Sequence, residues 1–203
     1  LNKGMSEQHS ADLRLVKHDG LTYILPPSQV FAPPIPKTEV KSMCGFNHPD
    51  ITPILCPCKK LNSLEEDPDI IIGALQEGQF NTGAMNWLML FYKEGVYNLE
   101  DKHMLEFAGW GNWFYTHLFI GPSTAAMGTF ISNASKASKN RVWGLTQVSP
   151  FTITYIHVVM YFTLSTVSQW CPIIGQMDLH ELHWLIVELL NDKADQWACQ
   201  TLA

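Results

Sequence analysis

Residues 149–168 have the sequence SPFTITYIHVVMYFTLSTVS, and this stretch decides the fold class. It contains no charged residue, and its polar residues are mostly Ser and Thr. Ser149 suits the N-cap position of a helix, and Pro150 suits the first helical position. Because β-branched residues lower helix propensity, a strand over residues 151–155 is the alternative, but the length of the apolar run favours a helix. The sequence therefore predicts a buried central helix over residues 150–168.

The residues that follow predict two further helices. Gly175 interrupts the chain, and Asp178 with Glu181 three residues later matches a capping box, whose side chains bond to backbone N–H groups at a helix start. This signal predicts a helix over residues 178–190, and a last helix is expected over residues 193–202. No sheet is expected anywhere in the chain.

Upstream of the central helix, Gly and Pro residues divide the sequence into shorter predicted helices. Asn47 and Asp67 each suit an N-cap position, and a Pro follows each of them closely. Gly78 suits a helix end, because glycine readily adopts the left-handed conformation found there. The predicted helices cover residues 47–55, 67–78, 81–95 and 98–122, and another short helix is expected within residues 133–144.

The N-terminal region differs in composition from the rest. Five prolines lie within residues 26–36, and proline at that density blocks helix formation. We expect residues 1–43 to form an extended Pro-rich arm packed on the core, and residues 44–203 to form one helical domain. The predicted fold class is all-α, a single domain of six to eight helices with this irregular arm. The expected anchors of the arm are Tyr23, Ile24, Val30 and Phe31.

The composition is apolar and poor in charge. Hydrophobic residues make up 46% of the 203 residues and charged residues 16%, below the ~25% typical of globular proteins. Such a surface favours contacts between protein molecules. The net charge is −6, and Lys193 is the only Lys or Arg after Arg141. This distribution excludes a basic nucleic-acid face over the whole domain, although it is compatible with a local basic patch.

Cysteine count and apolar runs bear on location. The chain has five Cys residues, an odd number, and no secretory signal opens the sequence. We therefore expect reduced thiols and an intracellular protein, cytoplasmic or nuclear. No run of about 18 apolar residues occurs, so the sequence predicts no transmembrane helix and no membrane partner.

Four short motifs occur in an order and at a spacing that resemble a known family. They are Gly45-Phe46-Asn47-His48-Pro49, Leu55-Cys56-Pro57, Ile120-Gly121-Pro122-Ser123-Thr124-Ala125 and Thr154-Tyr155-Ile156. Over about residues 40–203 the chain resembles a large uncharacterised family of basidiomycete (mushroom) helical proteins of unknown function. Family members typically have Arg where this chain has Cys44 and continue past the last helix into a Trp-Trp-Asn segment, so the resemblance implies a trimmed chain. It also implies a helical fold, a fungal source and a circumstantial link to mobile elements, and it carries no activity.

The first motif and its surroundings contain candidate metal ligands. Cys44, His48, Cys56 and Cys58 supply the donors of a Cys₃His zinc site. The spacing is poor, because structural zinc pairs usually have two to four residues between the ligands and Cys56 is separated from Cys58 by one. The favoured interpretation is a buried capping His48 and buried free thiols, with no bound cofactor.

Two other groups could bind an ion. Gly121-Pro122 precedes Ser123 and Thr124 at a predicted helix start, where backbone N–H groups can hold an anion. Lys136, Lys139 and Arg141 follow as a basic segment, so these five residues form a candidate anion or nucleic-acid site, with a helix stop and a solvated loop as the alternative. His180 and His183 share a helix face and could chelate a metal, but their motif is not the zinc-protease His-Glu-x-x-His, and chance with a solvated helix face is the favoured explanation.

Aromatic residues on the predicted helix over residues 98–122 point to an interface. They surround the helix instead of forming one stripe, which is typical of a helix buried centrally or shared with a partner. These residues are Trp110, Trp113, Phe114, Tyr115 and Phe119. Without a Gly-x-Ser-x-Gly elbow or another catalytic set, an enzyme is not favoured. The leading hypothesis is a non-enzymatic intracellular domain that self-associates as a homo-oligomer; the alternatives are a nucleic-acid-binding protein linked to fungal mobile elements and a metal-dependent enzyme.

Overall fold

The computed structural model describes residues 12–14, 16, 20–23, 30–36, 41–92 and 149–202. Of the described residues, 59% are helical when 3₁₀ turns are counted, and 6% are in strands or isolated β-bridges. The helices are α1 (Thr52–Leu55), α2 (Leu61–Glu66), α3 (Pro68–Gln76), α4 (Pro150–Leu164), α5 (Leu179–Leu190) and α6 (Gln196–Leu202). Turns of 3₁₀ helix occur at Gly20–Tyr23, Gly45–Asn47, Cys58–Lys60, Ala84–Asn86 and Met89–Phe91. The strands are β1 (Ile173–Ile174) and β2 (Met177–Asp178).

Helix α4 is the centre of the described fold, as the sequence predicts. The Ser149 Oγ accepts a hydrogen bond from the Thr152 backbone N–H at 3.2 Å, and Pro150 occupies the first turn. Every residue from Ile156 to Leu164 is buried. The strand considered for residues 151–155 is wrong, because the N-cap and the continuous run specify a helix. Helix α4 packs against α5, whose Leu182 and Ile186 are fully buried.

The helix ends at Leu164 and not at residue 168, and a buried lysine marks its end. The Lys41 Nζ donates to the backbone carbonyl oxygens of Phe162 at 2.5 Å, Thr163 at 2.9 Å and Ser165 at 3.2 Å. The carbonyls at a helix C-terminus carry its partial negative charge, so an ammonium group is well placed there. The Phe162 carbonyl also accepts from the Ser165 backbone N–H at 3.3 Å and from the Ser165 hydroxyl at 2.8 Å. Lys41 thereby joins the N-terminal segment to the centre of the fold.

The expectation of no sheet is wrong, because β1 and β2 form a small antiparallel hairpin. Ile173 pairs with Asp178 and Ile174 pairs with Met177. The two-residue loop between them begins with Gly175 at φ +61°, the positive φ required at the first position of a type II′ hairpin turn. The described fold is therefore mostly helical and only approximately all-α. The same Asp178 caps α5, since its Oδ1 accepts from the backbone N–H groups of His180 at 2.8 Å and Glu181 at 3.1 Å.

Helix α3 follows the prediction for residues 67–78. It begins at Pro68 after Asp67 and ends in a Schellman motif, in which Gly78 has φ +70°. The Gly78 N–H bonds the Leu75 carbonyl at 3.2 Å and the Gln79 N–H bonds the Ala74 carbonyl at 2.9 Å.

Two upstream predictions need correction. The helix expected over residues 47–55 is only the single turn α1, because Asn47 does not cap it: the Asn47 Nδ2 donates to the Ser42 carbonyl at 3.0 Å and its Oδ1 accepts from Gln76 at 3.1 Å. The helix expected over residues 81–95 is replaced by two 3₁₀ turns on either side of Trp87, which has φ +38°. Residues around Trp87 pair instead with the Cys56–Cys58 segment through bonds from Cys58 N–H to Trp87 and from Met89 N–H to Cys56, each 3.1 Å long.

The N-terminal segment contributes to the core where it is described. Phe31 is 9% exposed and meets the His48 ring edge-on, with 5.3 Å between the ring centroids. Val30 is 84% exposed, so its predicted role as an anchor is wrong. The division into an arm and a helical domain stays a prediction. The helices expected at 98–122 and 133–144, with the aromatic residues of the first, lie outside the described residues.

Candidate ligand-binding pocket

An open pocket of about 390 Å³ lies between α4, α5 and the segment that connects them. Its walls are mainly rings and aliphatic side chains, and none of the lining residues is an acid, a lysine or an arginine. We call it the aromatic pocket; it is lined by Tyr155, Val158, Trp170, Pro172, Leu179, His180, His183 and Trp184. Pockets of about 300–1,000 Å³ with such walls are typical small-molecule sites.

On the α4 side, the wall of the pocket is fixed by Tyr155. Its hydroxyl donates to the Asp12 Oδ2 at 3.1 Å, and Asp12 is 3% exposed. Burial, and secondarily the Asp12 carboxylate, raises the pKa of the Tyr155 phenol. The phenol is therefore neutral, and its proton points away from the ring face toward a buried carboxylate.

On the α5 side, the wall consists of three rings, at positions 180, 183 and 184 of the helix. The Trp184 Nε1–H donates to the His180 Nε2 at 3.0 Å, so the proton of the neutral His180 ring is on Nδ1. Trp184 also meets His183 edge-on, with centroids 5.4 Å apart and an interplanar angle of 88°. Burial, and secondarily the charge of His180, lowers the pKa of His183. The lowered pKa favours the uncharged form of His183, and both imidazole rings contribute to the wall of the pocket.

The third wall comes from the connecting segment. The Trp170 ring packs on Phe162 of α4 at a centroid distance of 5.3 Å. Pro172 is held against the start of α5 because its carbonyl accepts from the Leu179 N–H at 2.8 Å. The three walls thus belong to one packed unit.

Exposed apolar side chains border the aromatic pocket. Phe151 is 52% exposed and its ring lies 6.0 Å from that of His183, while Trp184 is 46% exposed. Ile173, next to the lining residue Pro172, is 59% exposed. We call Phe151, Ile173 and Trp184 the apolar rim.

The structure places the predicted metal ligand His48 in a different environment. Its Nδ1 accepts from the Asp50 backbone N–H at 3.1 Å, and its Nε2 lies 2.8 Å from the Pro33 carbonyl oxygen. Because a carbonyl only accepts, Nε2 carries the proton and donates it. Both ring nitrogens are therefore engaged with backbone groups, and the contacts favour the capping interpretation.

The three thiols predicted alongside His48 are all buried. Cys58 donates to the Met89 sulfur at 3.4 Å, and Cys56 donates to the Pro57 carbonyl at 3.5 Å. Burial raises the pKa of Cys44, raises that of Cys56 to about 11 and, with the neighbouring Cys56, raises that of Cys58 to about 12. No group of three or more His, Cys, Asp or Glu side chains within the described ranges is arranged to hold a metal ion. The zinc hypothesis stays a prediction that this geometry does not favour.

The predicted anion site lies elsewhere in the chain. Ser123, Thr124, Lys136, Lys139 and Arg141 are outside the described residues. The other predicted metal ligands, His180 and His183, share one face of α5, where they line the aromatic pocket beside Trp184. The sequence contained one signal for the pocket, the run of His180, His183 and Trp184 at helical spacing. Tyr155 and Trp170 could not be joined to it without the packing of α4 on α5.

Fold and pocket together define a mostly helical protein with an aromatic pocket and no motif of a known reaction. The chain belongs to the family described as "Family of unknown function (DUF6698)", whose model matches residues 3–203. That description gives neither an activity nor a source, so the fungal origin and the mobile-element link stay predictions. No curated protein and no solved structure matches the chain. Within the part of the chain that the structure describes, no helix is long and apolar enough to cross a membrane.

Proposed function

We propose that this chain is a non-enzymatic, intracellular interaction domain that self-associates through the apolar rim. One observation carries the proposal: three large apolar side chains are about half exposed or more, and they surround a concave aromatic surface. Clustered exposed apolar side chains on soluble proteins typically mark interaction sites, and aromatic residues are enriched at the centres of interfaces.

A second copy of the chain is the occupant that the surface suits. The rim combines projecting rings with a hollow, and in a two-fold dimer a projecting side chain of each copy can contact the hollow of the other. Each chain has a net charge of −6, so two copies repel each other at long range. The three rim side chains are uncharged, so they add nothing to this repulsion at contact.

The chemistry of the described residues supports a binding role over a catalytic one. The thiolate is the nucleophilic form of cysteine, and the raised pKa values of Cys44, Cys56 and Cys58 keep these side chains protonated near pH 7. His48 has both nitrogens bonded to backbone groups. All five cysteines are described and are free thiols, which suits the reducing interior of a cell.

Sedimentation equilibrium or light scattering at micromolar concentration tests the proposal. The wild-type chain is expected to show twice its monomer mass of 23.0 kDa. The double variant Phe151→Ser with Ile173→Ser is expected to be monomeric and folded, because it replaces two exposed rim side chains and no residue that lines the pocket. Val30→Ser with Ile70→Ser is the matched control, since these side chains are 84% and 69% exposed elsewhere. A wild-type chain that stays monomeric contradicts the proposal.

A further inference from the structure

We propose that the aromatic pocket binds a quaternary ammonium group, the trimethylammonium end of a choline-like molecule or of a trimethylated lysine. The juxtaposition of Tyr155, Trp170 and Trp184 around one open volume, with no cationic side chain among the lining residues, carries the proposal. It goes beyond self-association, because it concerns the pocket lining and not Phe151 or Ile173.

The walls supply the interaction that such a cation requires. Aromatic faces are negative, and a cation within about 6 Å of a ring centroid is attracted to them. A trimethylammonium group spreads its charge over methyl groups, so it is easily desolvated and also packs well on Val158 and Leu179. Both aliphatic side chains are buried, at 7% and 3% exposure.

The Asp12 carboxylate strengthens the Tyr155 wall. A phenol that donates a hydrogen bond to a carboxylate has a more electron-rich ring, because negative charge is shifted onto its oxygen. The 3.1 Å bond from the Tyr155 hydroxyl to Asp12 places this carboxylate at the edge of the ring, and Asp12 is not among the residues that line the pocket. The arrangement makes the ring face more attractive to a cation while keeping the pocket surface apolar.

The surrounding charge has the same sign as the ring faces. Residues 149–202 contain five acids, Asp178, Glu181, Glu188, Asp192 and Asp195, and one base, Lys193. The N-terminus of α5 has a partial positive charge that would oppose a cation. The negatively charged Asp178 carboxylate offsets this charge, because it accepts hydrogen bonds from two N–H groups of the first turn. The His180 and His183 rings add aromatic surface to the lining, and the lowered pKa of His183 favours its uncharged form. A cation is therefore favoured over a neutral apolar ligand of equal size.

The experiment compares choline with its dimethylbutanol isostere, in which carbon replaces nitrogen. Each is titrated into the full chain at pH 8 and constant ionic strength, and the chemical shifts of the ligand methyl protons are followed by NMR. Choline is expected to saturate with an upfield ring-current shift, and the neutral isostere is expected to bind at least about fivefold more weakly. Equal binding of the two compounds overturns the proposal, because the pocket would then recognise only shape and apolarity. Failure of choline and trimethyllysine to bind overturns it as well.

Two variants place the binding in the pocket. Trp170→Leu removes one ring and is expected to weaken choline binding about fivefold. Tyr155→Phe keeps the ring but removes its hydrogen bond to Asp12, and it is expected to weaken choline binding about twofold. Phe80→Leu is the control, because it removes an aromatic ring that packs with α2 and α3, away from the pocket. Unchanged binding in both pocket variants contradicts the assignment. If Trp170→Leu does not fold, Tyr155→Phe and the isostere comparison decide the question.

Two further ligands identify the source of the cation. Trimethyllysine, as the free amino acid, is titrated beside choline, with unmodified lysine as the control for charge alone. Tighter binding of trimethyllysine indicates a methylated peptide, and tighter binding of choline indicates a small molecule or headgroup. Lysine is expected to bind more weakly than either, because its compact ammonium group holds water strongly; lysine binding equal to both overturns the proposal. The monomeric variant Phe151→Ser with Ile173→Ser keeps every lining residue, and no second copy covers its pocket, so it is expected to bind choline at least as tightly as the wild type does. Loss of dimerisation with choline binding retained separates this proposal from self-association.

Discussion

The segment over residues 44–58 and the aromatic pocket use similar side chains in opposite ways. In the first, which we call the motif segment, Gly45 has φ +63° and a Cβ there would lie 2.9 Å from Thr166, so only glycine fits. The two nitrogens of His48 bond to backbone groups. In the pocket, His183 and Trp184 instead present ring faces to open volume. The side chains of a recognisable motif can thus be occupied by backbone contacts, while residues without a motif line the surface that is open to a ligand.

The largest expected effect comes from removing the centre of the motif segment. His48→Ala leaves the Asp50 N–H and the Pro33 carbonyl without their partner and opens a cavity beside Phe31. Each lost buried hydrogen bond and the cavity contribute, so the free energy of unfolding is expected to fall by about 4 kcal/mol. Urea denaturation followed by circular dichroism measures this change.

The matched variant in the pocket is His183→Ala. His183 is half-buried, and it contributes a ring to the wall. Its removal is expected to lower the free energy of unfolding by less than about 1 kcal/mol while weakening choline binding. A His183→Ala variant that loses as much stability as His48→Ala would remove the contrast between the two regions.

The next effect is a pH dependence that originates beneath the pocket. His157 is 1% exposed on α4, its Nδ1 lies 2.8 Å from the Ile153 carbonyl, and burial lowers its pKa from 6.5 to about 4. The unfolded chain therefore binds a proton more readily than the folded chain. The associated stability is fully present above about pH 6.5 and is lost as the pH falls toward 4, by about 3 kcal/mol.

Comparison with His157→Gln isolates this contribution, because carboxylates also titrate in acid. The free energy of unfolding is measured by urea denaturation between pH 4 and pH 7.5. The wild type is expected to lose about 3 kcal/mol more than the variant over this range. Parallel curves for the two proteins would show that His157 does not titrate as its burial requires.

Local signals explain which parts of the fold could be predicted. The Ser149 and Asp178 caps are decided by side chains within three residues of the N–H groups that they bind, so α4 and α5 were predicted at their N-termini. The glycine stop at Gly78 is equally local. Such signals do not depend on what packs against the helix, and the sequence alone contains them.

Long-range contacts explain the failures. A periodic apolar pattern predicts a helix around Trp87, but pairing with the Cys56–Cys58 segment replaces helical hydrogen bonds there. The predicted end of α4 is too late because Lys41, more than 100 residues earlier in the chain, binds its last carbonyls. The aromatic pocket likewise joins residues on two helices and a connecting segment. None of these contacts has a signature within a short window of sequence.

A smaller effect is expected from Lys41, the lysine that joins the N-terminal segment to the C-terminal end of α4. Lys41→Met keeps an unbranched chain of similar length, so it removes the charge while retaining much of the packing. Three carbonyl oxygens at the end of α4 then lose a charged donor, and the contact of the ammonium with the Phe162 ring, at 4.5 Å, is lost as well. The free energy of unfolding is expected to fall by about 2 kcal/mol.

Lys60→Met, which removes a cation stacked 4.4 Å from Phe80 at the surface, is the control and is expected to change stability little. Equal losses in urea denaturation would contradict the capping role of Lys41.

Another small effect is expected beside the pocket, where Asp178 caps α5. Asp178→Ala removes the acceptor for the His180 and Glu181 N–H groups and is expected to lower the free energy of unfolding by about 1 kcal/mol, the usual cost of losing an N-cap. Asp178→Asn keeps an acceptor but removes the charge, and it is expected to recover most of that stability in urea denaturation. The two variants should also differ in choline binding. Asn at position 178 still has a side-chain acceptor that holds the first turn of α5 and its His180 ring in place, whereas Ala has none. Choline binding should therefore weaken more in Asp178→Ala than in Asp178→Asn. Weaker choline binding in Asp178→Asn than in Asp178→Ala would show that the carboxylate charge, and not the position of the His180 ring, controls the affinity of the pocket for a cation.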